Sequence, residues 1–382
     1  MNPKIRILLV VRWPVGGIRT FIKYVYGKFE AENYELTILG PEGRDMSVLI
    51  KDLKDVDVKF ISLSKRPSLF QMFSKVMTSI LAGNFDLVHS HGFTSGMSAA
   101  LPAFLFGKPH ILTSHDILND RQFDGFAGRV KRSALQISLR CVTHVHSVSN
   151  DAQENLLRHF PEFRKGCKCI VIKNGIEIEN FLNAKRLDLH ELLKVDKDTF
   201  LIGFLGRFMA QKGFTFLVDA IELLSVRRDL SRKPIVVAFG DGDFIREEKS
   251  RLADRGLSGH FVFMPFTPDV AGVLKGLDVV VMPSRWEACP LLPMEALVSG
   301  TPLIASTCIG LGEVIENTPA IKVRPESGSD IAESLFSFMK SGSKGRFDSF
   351  VTEAADRFCV TNQIQSLKKL IKDTVDKSLL KR

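Results

Sequence analysis

Residues 283–306 read PSRWEACPLLPMEALVSGTPLIAS, with an apolar strand pattern before the stretch at Leu277–Met282 and another at its end, Pro302–Ala305. Strand, loop, helix and strand in that order make one unit of a parallel α/β sheet. Pro293 has no N–H and belongs in the first turn of the helix. Leu292 before it is biased towards extended backbone, which places the helix start between about residues 290 and 293. Glu295 then falls in or just after the first turn, and the unpaired amides of that turn face the loop carrying Glu287. An anionic group arriving there meets backbone donors and the positive end of a helix dipole. Each acid also has a plain structural reading. Glu295 complements the helix dipole, and Glu287, between Trp286 and Ala288, is a solvated loop acid. A capping box is the weaker structural reading for Glu295, because neither Ser nor Thr stands three residues before it.

From Glu287 onward the stretch, E-A-C-P-L-L-P-M-E-A-L-V-S-G-T-P-L-I-A-S, resembles the E-x7-E signature of the retaining glycosyltransferases of family 4. These use a nucleotide-sugar donor in an architecture called GT-B. The resemblance implies that Glu295 binds the two ribose hydroxyls of the nucleotide and that Glu287 contacts hydroxyls of the transferred sugar. It also brings amides around Pro290 to Leu292 to the donor. Pro290 can donate no hydrogen bond, so Leu291 and Leu292 are the donors expected. A carboxylate suits a pair of vicinal hydroxyls because it accepts from both at once, each bond contributing roughly 1.5–3 kcal/mol.

The 382 residues, 45% hydrophobic and 25% charged, have ordinary globular composition for two or three domains. No apolar run reaches membrane-spanning length, and MNPKIRILLV reads as a short strand rather than a signal segment. The expectation is a soluble, cytoplasmic chain, peripheral at most at the inner face of the cytoplasmic membrane. Of six cysteines only Cys167 and Cys169 lie close, as a lone C-x-C, so reduced structural thiols are expected and no metal site. Net charge is +9, with 24 Lys/Arg against 17 Asp/Glu in residues 1–180 and 28 against 26 thereafter. That basic first half suits an acidic substrate or an anionic membrane surface, or serves only to keep the domain soluble. No zinc-finger, RNP-like or basic heptad pattern supports nucleic acid as a partner.

Ile5–Val11 reads as a first strand, followed by Arg12-Trp13-Pro14-Val15-Gly16-Gly17 and a helix from about Ile18. Gly16 and Gly17 let backbone come close to a bound group at the helix start. The pair resembles the family's first-loop Gly-Gly, which closes over the donor and faces the acceptor. Arg19 is either a counter-charge for phosphate or an exposed first-turn arginine. Further strands are expected at Glu35–Leu39, Val56–Leu63, Leu87–Ser90, His110–Thr113, Val142–Val148 and Cys169–Ile172, with helical patterns between them, which argues for a parallel sheet covered on both faces. Ligands bind outside the carboxyl ends of such strands, where His89, His91, His115, Asp116 and Ser149 fall. His144 and His146 share one face inside a strand and read as core or partially satisfied histidines. Ile111 to Asp116, I-L-T-S-H-D, resembles the family's T-x-H-D segment, which implies a place for His115 close to donor sugar and acceptor. The stretch Arg121–Arg140 joins Phe123, Phe126 and Leu135 with Arg129, Lys131, Arg132 and Arg140. It reads either as a basic amphipathic helix on anionic lipid or as an ordinary surface helix.

Lys173-Asn174-Gly175-Ile176-Glu177 is a turn resembling the family's P-N-G-V-D, and the domain boundary is placed near residue 180. The alternation restarts with Phe200–Leu205, then Gly206-Arg207-Phe208-Met209-Ala210-Gln211-Lys212-Gly213, similar to the family's G-R-x4-K-G. The resemblance implies that Arg207 and Lys212 hold the donor diphosphate, one as a planar fork and the other as a point charge. Asp241 and Asp243 form a D-x-D in a Gly-rich turn after Ile235–Phe239. They lack the second acidic cluster that a hard cation needs, so no metal is expected there. Phe261–Met264 continues the sheet. Gly310-Leu311-Gly312-Glu313 departs in spacing from the family's G-G-x-P-E, and no role is carried over to Glu313.

The fold expected is α/β, GT-B, with two Rossmann-like parallel-sheet domains facing across a cleft. Residues 1–180 form the acceptor-binding domain, 181–360 the nucleotide-sugar-binding domain, and 361–382 a helix crossing back to the first. The function implied is a retaining, metal-independent glycosyltransferase without a cofactor. It would transfer a sugar from a nucleotide sugar to a glycan or lipid-linked acceptor, in cell-envelope or surface polysaccharide biosynthesis, with His115, Glu287, Arg207 and Lys212 catalytic and Arg19 and Asp116 on the acceptor side. Three other readings stand: an epimerase of related architecture, a catalytically silent nucleotide-sugar-binding partner, and a membrane-surface scaffold.

Overall fold

The computed structural model describes residues 4–54, 56–166, 168–242 and 244–380. Cys167 of the C-x-C pair and Asp243 of the D-x-D turn lie outside these residues. The chain divides into two compact units, Met1–Asn174 with Val360–Arg382, and Gly175–Cys359.

The first unit alternates strands and helices: β1 (Ile5–Val11), α1 (Gly16–Tyr26), β2 (Tyr34–Pro41), α2 (Arg44–Asp52), β3 (Val58–Leu63), α3 (Leu69–Ala82), β4 (Leu87–His91), α4 (Phe93–Leu105), β5 (His110–Ser114), α5 (Gly125–Cys141), β6 (His144–Ser147), α6 (Asn150–His159) and β7 (Cys169–Val171). All seven strands are parallel, in the order β3-β2-β1-β4-β5-β6-β7. Ile7 to Val11 are fully buried, as a central strand covered on both faces requires, and each such side chain contributes roughly 1.5–3 kcal/mol. One core lies under α3 and α4, where Met72, Val76, Ala99 and Ala103 meet Leu8, Val10 and Leu39.

The second unit runs α7 (Ile178–Leu182), α8 (Leu189–Leu193), β8 (Phe200–Leu205), α9 (Phe214–Ser225), β9 (Pro234–Phe239), α10 (Ile245–Asp254), β10 (Phe261–Met264), α11 (Val270–Gly276), β11 (Val279–Met282), α12 (Leu292–Val298), β12 (Leu303–Ser306), α13 (Leu311–Ile315), β13 (Ile321–Val323), α14 (Gly328–Ser341) and α15 (Gly345–Phe358). Its six strands are parallel, in the order β10-β9-β8-β11-β12-β13. The last helix, α16 (Val360–Leu379), belongs to the first unit, where it packs on α1 and Lys368 reaches Glu30 at 2.6 Å. Among the described residues no helix is long and apolar enough to cross a membrane.

Each expected strand is present, with ends shifted by short steps. Two local expectations are corrected. Helix α1 begins at Gly16, before Ile18. Leu292 is helical rather than extended, and Leu291 before it already has φ −85° and ψ −33°. The steric bias before proline is overridden here, and Pro293 is tolerated because in the first turn its missing N–H leaves no intrahelical bond broken.

Candidate functional site

In the second unit β8 lies beside β11, and the chain leaves these strands for opposite sides of the sheet. Open α/β sheets bind ligands at such a switch point, outside the strand carboxyl ends. Arg207 and Lys212 lie in the loop after β8, and Glu287 lies in the loop after β11. The two loops are laced together: Arg285 N–H donates to Gln211 O at 2.8 Å, and Gln211 Nε2 donates to Trp286 O at 2.9 Å. Gly213 has φ +65°, and a Cβ there would stand 2.1 Å from Pro283 O. From the other side Gly310, at φ +76°, would set a Cβ 2.0 Å from Glu287 O, while Glu287 N–H donates to Ile309 O at 3.0 Å. Only glycine fits either place, so the Glu287 loop is clamped from both flanks.

Glu287 is 6% exposed. Its Oε1 accepts from Lys212 Nζ at 2.6 Å and from Ser284 Oγ at 2.7 Å, whereas its Oε2 has a longer 3.5 Å contact with Gln211 Nε2. Lys212 and Glu287, assigned separately to diphosphate and sugar on the family's pattern, are thus in contact. Burial pushes the nearby Cys308 thiol up to about 11, and the negative Glu287 adds to that rise. Arg207 is exposed, with no hydrogen bond or ion pair among the described residues.

Helix α12 carries Glu295 in its first turn, with Pro293 at its start and no side-chain cap. The Glu295 carboxyl has no hydrogen-bond or ion-pair partner among the described residues, and burial pushes it up to about 7. Leu291 and Leu292 lie at the start of the same helix. An unpaired, partly shielded carboxyl in the first turn of a helix, in a unit that also carries a free Arg207 guanidinium, suits a ligand that has both hydroxyls and phosphate.

In the first unit the switch point lies between β1 and β4. Gly16 and Gly17 open α1 there, and no atom comes within 4 Å of a Cβ built on either. Arg19 Nε stands 3.9 Å from Asp52 Oδ2, and Lys23 stands 3.8 Å from the same carboxylate. Asp116 is exposed, and its Oδ1 accepts from Ile117 N–H at 2.9 Å.

Behind these loops the histidines form a wired cluster that spacing alone did not reveal. Tyr26 Oη contacts His89 Nδ1, His89 Nε2 lies 2.7 Å from Thr113 Oγ1, Thr113 Oγ1 lies 2.9 Å from His146 Nδ1, and His146 Nε2 lies 2.9 Å from Ile172 O. Burial holds His89 well below the ordinary histidine value and His146 at about 4, so both rings are neutral near pH 7. A carbonyl only accepts, so His146 Nε2–H donates to Ile172, which makes His146 Nδ1 an acceptor. The chain is then fixed throughout: Thr113 O–H donates to His146, His89 Nε2–H donates to Thr113, and Tyr26 O–H donates to His89. His146 is the satisfied core histidine expected. His115, beyond β5, contacts His91 Nδ1 through its Nε2 at 3.0 Å.

A family model described as glycosyl transferases group 1 matches residues 199–341, and one described as glycosyltransferase family 4 matches residues 15–180. A UDP-Gal:alpha-D-GlcNAc-diphosphoundecaprenol alpha-1,3-galactosyltransferase of Escherichia coli is 26% identical over 282 residues, 70% of this chain and 65% of that protein. A D-inositol 3-phosphate glycosyltransferase of Pseudarthrobacter chlorophenolicus is 26% identical over 322 residues, 78% of this chain and 76% of that protein. The alignments therefore span about two thirds to three quarters of these relatives. In fold, the chain is similar to Anabaena HepE, solved in complex with UDP-glucose, with a TM-score of 0.81 at 18% identity over 97% of this chain and 100% of that one. With the two models between them matching residues 15–180 and 199–341, the chain belongs to the group 1, family 4 glycosyltransferases, and its two parallel-sheet α/β domains have the GT-B fold.

Proposed function

We propose that the protein transfers a sugar from a nucleotide-sugar donor to a glycan or lipid-linked acceptor in cell-envelope or surface polysaccharide biosynthesis, with retention at the anomeric carbon and without a metal. The observation that carries the reading is the switch-point constellation of the second unit: a free Arg207, a Lys212–Glu287 pair at 2.6 Å and an unpartnered Glu295 carboxyl. In this reading Glu295 accepts from the ribose diol, and Arg207 forks onto the diphosphate. The Lys212 ammonium has three N–H donors, so it can keep Glu287 and still serve a phosphate oxygen. Glu287 Oε2, the less engaged of its two oxygens, is left for a sugar hydroxyl. Leu291 and Leu292 supply amides to the donor.

In the first unit Gly16 and Gly17 serve the donor and face the acceptor, His115 lies close to donor sugar and acceptor, and Arg19 and Asp116 are on the acceptor side. The acceptor oxygen forms its bond to the anomeric carbon on the face from which the diphosphate departs. The bond from that carbon to the phosphate oxygen breaks, and the acceptor's proton passes to the departing phosphate. Catalysis is then positioning plus stabilisation of leaving charge by Arg207 and Lys212. Support for a uridine nucleotide comes from the E. coli relative, named for UDP-Gal, and from the HepE complex with UDP-glucose. A lipid-linked acceptor fits helix α5, which exposes Phe126, Val130 and Ile137 beside the exposed Arg129, Lys131 and Arg132, the composition of a helix that rests on anionic lipid.

The test is calorimetric titration of wild type, Glu295→Ala and Lys212→Ala with UDP, GDP, ADP and their sugars, followed by product analysis with and without acceptor. One nucleotide should bind wild type and lose affinity in both variants, with product formed only when acceptor is present. Conversion of donor alone would mean an epimerase. Binding of donor and acceptor without turnover would mean a silent partner. Liposome binding that survives Glu295→Ala, with no nucleotide affinity, would mean a membrane scaffold.

A further inference from the structure

Behind His115 stands a second imidazole that none of the family motifs includes. His91 ends β4, is 1% exposed, and stacks between His89 at 4.6 Å and 16° and His115 at 5.3 Å and 27°. Phe21 packs against both His91 and His115, with centroids 5.4 and 4.9 Å away, and Tyr26 closes the far side at 5.8 Å. His91 Nδ1 lies 3.0 Å from His115 Nε2, and His91 Nε2 is buried without a partner among the described residues.

Burial holds both rings well below the ordinary histidine value, so a single proton lies between them. Two arrangements satisfy the contact. If His115 Nε2–H donates, the proton of His91 is forced onto its Nε2, a buried N–H facing no acceptor. If His91 Nδ1–H donates, His91 Nε2 keeps only a lone pair. Buried N–H groups without an acceptor are the rarer of the two kinds of orphan, and leaving one buried costs the desolvation of a donor. The second arrangement therefore wins.

We propose that His91 is a positioning residue that fixes His115 as the tautomer protonated on Nδ1. The one ring nitrogen that His115 has left for a ligand is then an N–H donor. It can hydrogen-bond a hydroxyl, alkoxide or phosphate oxygen, and it cannot take a proton as a general base. Only the identity of the occupant in front of His115, a sugar-nucleotide or acceptor oxygen, rests on the function proposed above; the tautomer does not.

The experiment is long-range 15N–1H correlation on the full chain labelled with 15N-histidine, which gives nine imidazoles, with His115 assigned through His115→Gln. Wild type should show His115 protonated on Nδ1. His91→Phe should return it to the Nε2–H form that free imidazole side chains favour in water, and His91→Gln, whose amide can donate to His115 Nε2, should preserve the wild-type form. An Nε2–H His115 in wild type, or a tautomer indifferent to His91→Phe, overturns the proposal. Should His91→Phe fail to fold, wild type and His91→Gln decide it: Nδ1–H in both supports the proposal, and Nε2–H in either refutes it. Turnover should fall in His91→Phe and recover in His91→Gln; a parallel fall and recovery of calorimetric donor affinity marks the occupant as a sugar-nucleotide oxygen, and unchanged affinity marks it as the acceptor's. Absence of nucleotide binding in wild type would remove the transferase reading and leave the tautomer result standing.

Discussion

Lys212 Nζ lies 2.6 Å from Glu287 Oε1, so the cation expected on the diphosphate and the acid expected on the sugar are each other's counter-ions before any donor arrives. Removing either one leaves the other uncompensated. Glu287 is the more exposed to this loss, because it is buried and Ser284 alone would then hold Oε1. Lys212→Ala should cost about 1.5–3 kcal/mol of stability, the range of a hydrogen bond to a charged group. Replacing both partners, Lys212→Met with Glu287→Gln, should restore most of that loss, because no charge remains buried alone. Urea denaturation of the two variants checks the stability. Neither should bind donor, which separates stability from function.

Glu295 predicts an opposition between stability and binding. Its folded carboxyl titrates at about 7 against an ordinary 4.5, because burial disfavours its charge. Between those values the folded state keeps a proton that the unfolded chain has released. The group's contribution to stability is therefore full below pH 4.5 and is lost as pH rises through 7. Glu295→Gln should stabilise the unliganded protein at pH 8 by about 2 kcal/mol and leave it unchanged near pH 4. The same substitution removes an ionised acceptor for two hydroxyls and should weaken donor binding by roughly ten- to a hundredfold. Melting temperatures across pH, with calorimetric affinities at pH 8, check both halves.

The glycines divide in the same way. Gly310→Ala places a Cβ 2.0 Å from Glu287 O at φ +76°, so the clamp on the Glu287 loop must open. A non-glycine residue forced into such backbone costs on the order of 1–3 kcal/mol, and donor affinity should fall with stability. Gly17→Ala meets nothing within 4 Å and carries no positive φ, so the melting temperature should stay near wild type. Loss of transfer in a stable Gly17→Ala would then report the close approach of a bound group to that backbone.

Much of this was legible in the sequence, for identifiable reasons. Strands such as Ile5–Val11 and Pro234–Phe239 are buried on both faces and so read as continuous apolar runs. Arg207, Lys212, Glu287 and Glu295 were visible because they lie in two short motifs that follow strands, the last of them in the first turn of the helix that ends its motif. The closure of those loops was not visible. It depends on Gly213 and Gly310 approaching carbonyls of Pro283 and Glu287, and on Gln211 reaching Trp286 across 75 residues of sequence. A glycine pair after β12 was the one available signal for Gly310, and its altered spacing had left it without a role. Arg19 was ambiguous because its partner, Asp52, belongs to a different helix. The histidines could be placed at strand ends by counting, but their wiring joins Tyr26, His89, Thr113, His146 and Ile172 from separate elements.

That wiring makes Thr113 a sensitive polar position of the first unit. Its single hydroxyl accepts from His89 and donates to His146, so Thr113→Val orphans a buried donor and a buried acceptor together. At about 1–3 kcal/mol for each group left without a partner, the loss should be severe, whereas Thr113→Ser keeps both bonds and should fall within about 1 kcal/mol of wild type. The same rings predict acid lability. His146 titrates at about 4 in the folded state against an ordinary 6.5, so its stabilising contribution is present above pH 6.5 and is lost as pH falls towards 4. Glu295 acts in the opposite sense over much of that window, so Glu295→Gln should steepen the loss of stability on acidification. A pH series of denaturation midpoints for wild type, Thr113→Ser and Glu295→Gln reads both slopes. A flat profile in Glu295→Gln would show that the buried rings are not held neutral as the directed chain requires.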